Sequence, residues 1–235
     1  MNREDFIIEC KKIGLELSND ILNKIDLYKD LLIEWNNKFN VTAITDENNI
    51  YLKHFYDSIC LVKSMDLNNK KICDFGTGAG FPGMVLAIIF NNSNITLIES
   101  NSKKILFLNE VKKKLNLDNV IIINDRVEKY AKENREVFDI VTCRAVSSLN
   151  IILELASAMI KENGYFLPMK ANVEEEIKNS EQKSKQLNLL LKDKIEYKLP
   201  VENADRTILK YRKTGKTDLK YPREYNVIKK ENIRQ

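Results

Sequence analysis

The sequence predicts an α/β fold, a mostly parallel sheet with helices on both faces, preceded by a helical N-terminal segment. Three observations lead there. From Lys70 onward, short apolar runs alternate with longer helical patterns, as strand–helix–strand units require. A glycine-rich turn closes the first of those runs. Residues 1–65, ahead of it, read as a helical segment. The expected organisation is a helical segment over 1–65, the α/β domain over 66–213 and a basic tail over 214–235.

Each element has its own justification. Ile25, Tyr28, Leu32, Trp35 and Phe39 recur at steps of three and four, one stripe of a helix that begins near Ile21. Ser18 and Asp20 supply its N-cap. The stripe lasts under three heptads, which favours an amphipathic helix packed on a domain over a coiled coil. Residues 40–46 break it, and a second helix is expected from about Asn48 to Lys63. Strands are expected at Lys71–Phe75, Asn94–Glu99, Val120–Asn124, Phe138–Cys143 and Tyr165–Met169. Helices should lie between them, at Pro82–Phe90, Ser102–Leu115, Val127–Lys132 and Leu149–Lys161. A polar helix follows over Val173–Lys192, then β-like runs at Lys194–Pro200 and Arg206–Arg212. These last two are too close for a crossover helix, so the sheet should finish with an antiparallel pair.

Composition removes several function classes. The 235 residues are 43% hydrophobic and 31% charged. The longest apolar run, Met84–Phe90, is far short of the roughly 20 residues a membrane span needs. The charged first residues lack an apolar stretch leading to a cleavage site, so no signal peptide is expected and the compartment should be the cytoplasm. Cys10, Cys60, Cys73 and Cys143 are scattered without a CxxC pair, and His54 is the only histidine. A metal site is therefore not expected, nor are disulfides. The net charge of +4 is unevenly spread: residues 206–235 hold ten Lys or Arg against Asp218, Glu224 and Glu231. Such a tail suggests a polyanion such as nucleic acid, and equally describes a solvated chain end.

The most informative segment is Asp74-Phe-Gly76-Thr-Gly78-Ala-Gly80-Phe81-Pro82-Gly83. Its glycines let the backbone turn sharply and approach a ligand, and Pro82 suits the first turn of a helix. Glu99 ends the second strand about twenty residues beyond Gly78, where a carboxylate accepts hydrogen bonds from ribose hydroxyls. Loop and acid together specify an adenine ribonucleoside. Residues 78–83 also match GxGxxG, so a nicotinamide or flavin cofactor has to be weighed. Asp74, two residues before Gly76, instead fits the acidic-x-Gly-x-Gly-x-Gly pattern of methyltransferases, where the acid helps place the methionine part. The chain also leaves little room for a dehydrogenase's substrate domain. The expected cofactor is S-adenosylmethionine, on a class I, Rossmann-like methyltransferase fold.

Residues 74–83 resemble the signature of the RsmG family, also called GidB, the guanine-N7 methyltransferases of small-subunit (16S) ribosomal RNA. The likeness continues in Asn40-Val-Thr, in Lys53-His54-Phe-Tyr-Asp57-Ser58 and in Arg126-Val127-Glu128. It extends to Arg144-Ala145 before Ser148-Leu149-Asn150, and to Tyr221-Pro222-Arg223. Phe75 and Ala171 depart from the residues common in the family at those places. The resemblance implies cofactor contacts at Gly76, Phe81, Val127, Glu128 and Arg144, and 16S rRNA or the small subunit as partner. With the loop residues, the full expected cofactor set is Asp74, Gly76, Gly78, Gly80, Phe81, Glu99, Val127, Glu128 and Arg144. The protein is expected to act as a monomer. The rival functions are methylation of another RNA base or a small molecule, or a nucleotide-binding RNA module without turnover.

The chemistry agrees with these residues. Val127 and Glu128 follow the third strand, on the side where the adenine ring should lie, although Glu128 also suits a plain helix start. Arg144 ends the fourth strand at the rim of a parallel sheet, where substrate enters, and is the expected positioning residue in catalysis. Guanine N7 has a free lone pair and no proton, so its methylation needs alignment and electrostatics rather than a general base. The fourth strand ends Thr142-Cys-Arg-Ala, without the Asn/Asp-Pro-Pro-aromatic element of exocyclic-amine methylases. Cys143 invites comparison with the nucleophile of pyrimidine-C5 methylases, but no proline adjoins it and a small apolar cysteine suits a buried strand. His54, Asp57 and Ser58 fall on one helix face. Triad members converge from separate elements, so packing or hydrogen bonding beside the cleft is the expectation.

Overall fold

Ser18 accepts a hydrogen bond from the Ile21 amide, and Asn40 takes the left-handed conformation that ends the same helix, α2 (Asn19–Phe39). Between these caps α2 buries Leu22, Ile25, Tyr28, Leu31 and Leu32. The computed structural model describes residues 1–171 and 173–233, so Arg234 of the tail lies outside the described residues. A short helix, α1 (Arg3–Lys12), precedes α2. After it, residues 47–63 wind on without a break. They comprise α3 (Glu47–Asn49), a π-helical stretch (Ile50–Tyr56), α4 (Asp57–Ile59) and a 3-10 turn (Cys60–Lys63).

The sheet then forms from β1 (Lys71–Phe75), β2 (Asn94–Glu99), β3 (Val120–Asn124), β4 (Phe138–Arg144), β5 (Ile160–Lys170), β6 (Leu189–Lys198) and β7 (Asp205–Lys213). Its order is β3-β2-β1-β4-β5-β7-β6. The first five strands run parallel, and β7 lies antiparallel between β5 and β6. The crossover helices are α5 (Gly83–Ile89), α6 (Ser102–Lys114), α7 (Val127–Glu133), α8 (Leu149–Ser157) and α9 (Glu174–Gln186), with α10 (Tyr225–Ile233) after the last strand. Strand order reverses between β1 and β4, and the crevice beyond their carboxyl ends is where such sheets bind ligands.

Each face of the sheet carries its own core. On one, Phe6, Ile25, Tyr28 and Phe55 of the N-terminal helices pack with Met84, Leu97 and Phe107. On the other, α8 and α10 bring Leu153, Leu155 and Ile228 against Phe75, Val141 and Phe166. The N-terminal helices are thus one wall of the α/β core.

The structure corrects three expectations. The helix expected to reach Lys161 ends at Ser157, because Ile160 already pairs with Phe138 and opens β5. The polar helix expected to reach Lys192 ends at Gln186. Leu187 and Leu189 are buried, and Leu189 pairs with Lys213, which pulls the chain into β6. The tail is not free for phosphates throughout. Lys213 is fully buried and donates to the Leu187 carbonyl and the Thr217 hydroxyl. Arg135 holds the carbonyls of Thr217 and Tyr221 at 2.6 and 2.7 Å. Arg223 is bound to the buried Glu154 of α8.

Candidate cofactor and substrate site

The glycine loop is fastened from below. Asp74, at the end of β1, is fully buried, and its Oδ2 accepts from the Thr77 hydroxyl at 2.6 Å and the Gly83 amide at 2.8 Å. Burial pushes its carboxyl up to about 7, against the pull of those two donors. Gly80 has φ +101°, and a side chain there would run into the Tyr28 hydroxyl and Met84. Gly78 differs. Its φ of +64° favours glycine, yet the space around it is open, with only Lys104 Nζ at 3.8 Å. Gly78 is therefore the loop glycine that leaves room for a ligand. Its amide donates to Glu99 Oε2 at 3.0 Å, while Glu99 Oε1 accepts from the Asn101 amide at 2.8 Å. The Phe81 ring is stacked between Tyr28 and His54, with centroids 5.4 and 4.2 Å away.

Two cavities open beyond the strand ends. The smaller, about 220 Å³, is lined by Gly76, Glu99, Asp125, Arg126, Val127 and Tyr225, among others. The larger, about 440 Å³, is lined by Lys53, His54, Cys143, Arg144, Lys170 and Arg206, among others. Val146 lines both. A Cβ on Gly76 would lie 2.8 Å from a Val146 methyl group, so the absence of that atom makes space for the partition. Beside the smaller cavity, Glu128 is buried; its Oε1 accepts from Arg126 Nε at 3.2 Å while Oε2 has no partner. An unpaired buried carboxylate oxygen is costly. A cavity lined by a ribose-type acid, with an open glycine bonded to that acid and an unpaired acceptor behind its wall, fits the adenosine half of S-adenosylmethionine.

The larger cavity is governed by Arg144 at the end of β4. Its Nη1 donates to the Lys53 carbonyl at 2.6 Å and to Asp57 Oδ2 at 2.9 Å, and its Nη2 to His54 Nδ1 at 3.2 Å. Accepting at Nδ1 leaves His54 neutral with its proton on Nε2, which donates to Thr42 Oγ1 at 2.9 Å. Burial, and then the Arg144 charge, push the His54 pKa down to about 3. Asp57 is shared further. Tyr197 donates to its Oδ1 at 2.7 Å, and Arg206 lies 3.5 Å from its Oδ2. Lys170 donates to the Ser147 carbonyl and pairs with Glu176 at 2.7 Å. The cavity holds cations and no carboxylate or imidazole free to take a proton. Cys143 is buried, and burial holds its thiol well above the usual range, so no thiolate nucleophile forms there.

The structure thus brings Gly76, Glu99 and Val127 to one cavity and Arg144 to its neighbour. Gly78 reaches the first through Glu99, and Glu128 lies behind Val127. Asp74, Gly80 and Phe81 line neither cavity: the first braces the loop and the other two pack under the N-terminal helices. Lys53, Lys170, Arg206 and Tyr225 were not among the expected site residues, and Asp57 was expected only to pack or hydrogen bond beside the cleft. Lys53 and Asp57 had a signal in the Lys-His-x-x-Asp-Ser motif, whereas Arg206 and Tyr225 had none, because strand pairing and tail packing bring them in. Among the described residues no group of three or more His, Cys, Asp or Glu could hold a metal ion. No helix among them is long and apolar enough to cross a membrane.

Comparison with known proteins points one way. The family model described as rRNA small subunit methyltransferase G (GidB) matches residues 21–206. The Ribosomal RNA small subunit methyltransferase G of Bacillus subtilis (strain 168) is 40% identical over 228 residues, 95% of each chain. That of Mycoplasma capricolum is 45% identical over 217 residues, covering 92% of this chain and 93% of the relative. Among solved structures, a SAM dependent methyltransferase from Aquifex aeolicus aligns with TM-score 0.56 at 16% identity, over 74% of this chain and 97% of its own. M. jannaschii TYW2 in complex with AdoMet aligns with TM-score 0.55 at 19% identity, over 66% and 73% of the two chains. At such identities the structural matches establish the shared fold.

Proposed function

The chain belongs to the GidB family of small-subunit rRNA methyltransferases, and we propose that it methylates N7 of a guanine in 16S rRNA with S-adenosylmethionine as donor. The observation that carries this reading is the pair of cavities meeting at Val146, one shaped for an adenosine and the other cationic and without a free base. The cofactor, when bound, supplies a methyl group on a sulfonium centre.

The chain's own residues do the rest. Glu99 would accept from the ribose hydroxyls, with Gly78 leaving room beside it. Glu128 would accept from the adenine amine through its unpaired oxygen, with Val127 beside the ring. Arg144 is preset by Lys53, His54 and Asp57, so it need not be reordered when substrate arrives, which is how fixed dipoles and charges assist a reaction. With Lys53, Lys170 and Arg206 it surrounds the base and its phosphate with positive charge. His54 has both ring nitrogens engaged and Asp57 is shared among three partners, so neither stands free as a general base. N7 has none to give, and this environment suits it.

RNA affinity and registration come from phosphate contacts. Lys213 and Arg223 are engaged internally, so we assign these contacts to the rim lysines and to Lys216, Lys220, Lys229 and Lys230. We further infer that the protein acts as a monomer in the cytoplasm and without a metal.

The test is methylation of small subunits prepared from cells lacking the enzyme, with N7-methylguanine located by reductive cleavage of the RNA. A single new N7-methylguanine in 16S rRNA, unaffected by Cys143→Ser, is the expected result. Methyl transfer to cytosine C5, abolished by Cys143→Ser, would overturn the proposal.

A further inference from the structure

The family match ends at residue 206, yet the chain beyond it reaches the cofactor cavity. Tyr225, the first residue of α10, lines the smaller cavity with Asp125, Arg126 and Val127. The Arg126 guanidinium lies over its ring, 4.9 Å from the centroid, an attractive arrangement for a cation on an aromatic face. The same guanidinium donates through Nε to Glu128 Oε1. Tyr225, Arg126 and Glu128 form a chain of contacts that ends at Glu128 Oε2, a buried carboxylate oxygen with no partner.

This wall is anchored more firmly than a chain end requires. Arg223 places its backbone amide and Nε on Glu154 Oε1 at 3.0 and 2.8 Å, and its Nη2 on Oε2 at 2.7 Å. Lys183 adds a second cation to Glu154 at 3.0 Å. Lys132 of α7 pairs with Glu224 at 2.5 Å, and Ile228 is buried one turn on. The contacts on either side of Tyr225 fix its position at the lip of the cavity.

We propose that Tyr225 is a positioning residue for the adenine end of the cofactor: it completes the cavity wall and, through Arg126, holds Glu128 ready to receive the adenine amine. The inference rests on reading the smaller cavity as the adenosine site. Three consequences follow from the geometry. The effect belongs to the adenosine half, so ligands with and without the amino-acid half should respond alike. It needs an aromatic face and not the phenolic hydroxyl. It also governs discrimination of an amine from a carbonyl at the purine's sixth position, since only the amine donates to Glu128.

The experiment is calorimetric titration of the full chain with S-adenosylhomocysteine, 5′-methylthioadenosine and S-inosylhomocysteine, for wild type, Tyr225→Phe and Tyr225→Leu. Leucine keeps the apolar filling and removes the aromatic face. Tyr225→Leu should weaken both adenosine ligands by the same factor, roughly fivefold to tenfold, and shrink the preference over the inosine analogue. Tyr225→Phe should behave as wild type. If Tyr225→Leu binds all three as wild type does, or merely lowers the melting temperature with the preference intact, Tyr225 only holds α10 in place and the inference is wrong. If wild type binds neither adenosine ligand, the cofactor assignment itself fails, and this inference with it.

Discussion

Replacing His54 by Gln tests whether the site holds a neutral, proton-averse imidazole. His54 is 8% exposed, stacked on Phe81, and hydrogen bonded at both nitrogens. Its pKa is pushed down to about 3 from 6.5, first by burial and then by Arg144. The folded value lies below the unfolded one, so on acidification the unfolded chain takes the proton first. The contribution to stability is complete above pH 6.5 and is lost as pH falls toward 3. From about pH 7.5 to about pH 5.0 the linkage relation gives a loss of about 2 kcal/mol from this one group. Glutamine can accept from Arg144 and donate to Thr42 without titrating, so this loss should be missing from the variant. Asp74 works in the opposite sense. Its carboxyl is raised to about 7, so its contribution is complete below 3.8 and lost as pH rises through 7. Both proteins contain it, and it cancels from their difference. Urea denaturation at the two pH values gives the four free energies needed. The acid-induced change should be about 2 kcal/mol less favourable in wild type than in His54→Gln. Equal changes in the two proteins would show that His54 is solvated or charged in the folded state, and the preset Arg144 would lose its neutral partner.

Three further outcomes are expected. Glu99→Ala should weaken S-adenosylhomocysteine binding by about 1.5–3 kcal/mol for each ribose bond lost, measured by calorimetry, with the melting temperature less affected. Gly80→Ala should cost roughly 2 kcal/mol or more in denaturant titrations, because its Cβ meets Tyr28 and Met84 at an unfavourable φ. Gly78→Ala, with open space around it, should cost only the roughly 1–2 kcal/mol of backbone strain and should show its main effect in cofactor affinity. Arg223→Ala leaves the buried Glu154 with Lys183 as its one cation beside the retained backbone amide and should destabilise the fold by about 3 kcal/mol, while rRNA binding keeps its dependence on salt.

What the sequence disclosed and what it withheld divide along a physical line. The bounds of β1, β2 and β3 agree with expectation residue for residue, because each is a short, mostly apolar run between polar or glycine-rich turns. The glycine loop and Glu99 were equally legible, since a tight turn and an acid one strand away are consequences of local spacing. The roles within the loop were less so. Asp74, Gly80 and Phe81 share the motif with Gly76 and Gly78, yet only the fold shows that they brace the loop through Thr77, Tyr28 and His54. The tail is the extreme case. Its ten cations read as a surface because charge is the only property that composition reports. Arg223 finds Glu154 across 69 residues of sequence, and Lys213 is buried by the hairpin it helps to form. A basic residue reads as solvent-exposed until a buried carboxylate or carbonyl answers it, and those partners are set by topology. The same long-range pairing carries Tyr225 to the cofactor cavity and fixes Arg144 through Lys53, His54 and Asp57. Both chain ends, which local patterns describe as accessory, thereby supply the walls of the site that the central motif only begins.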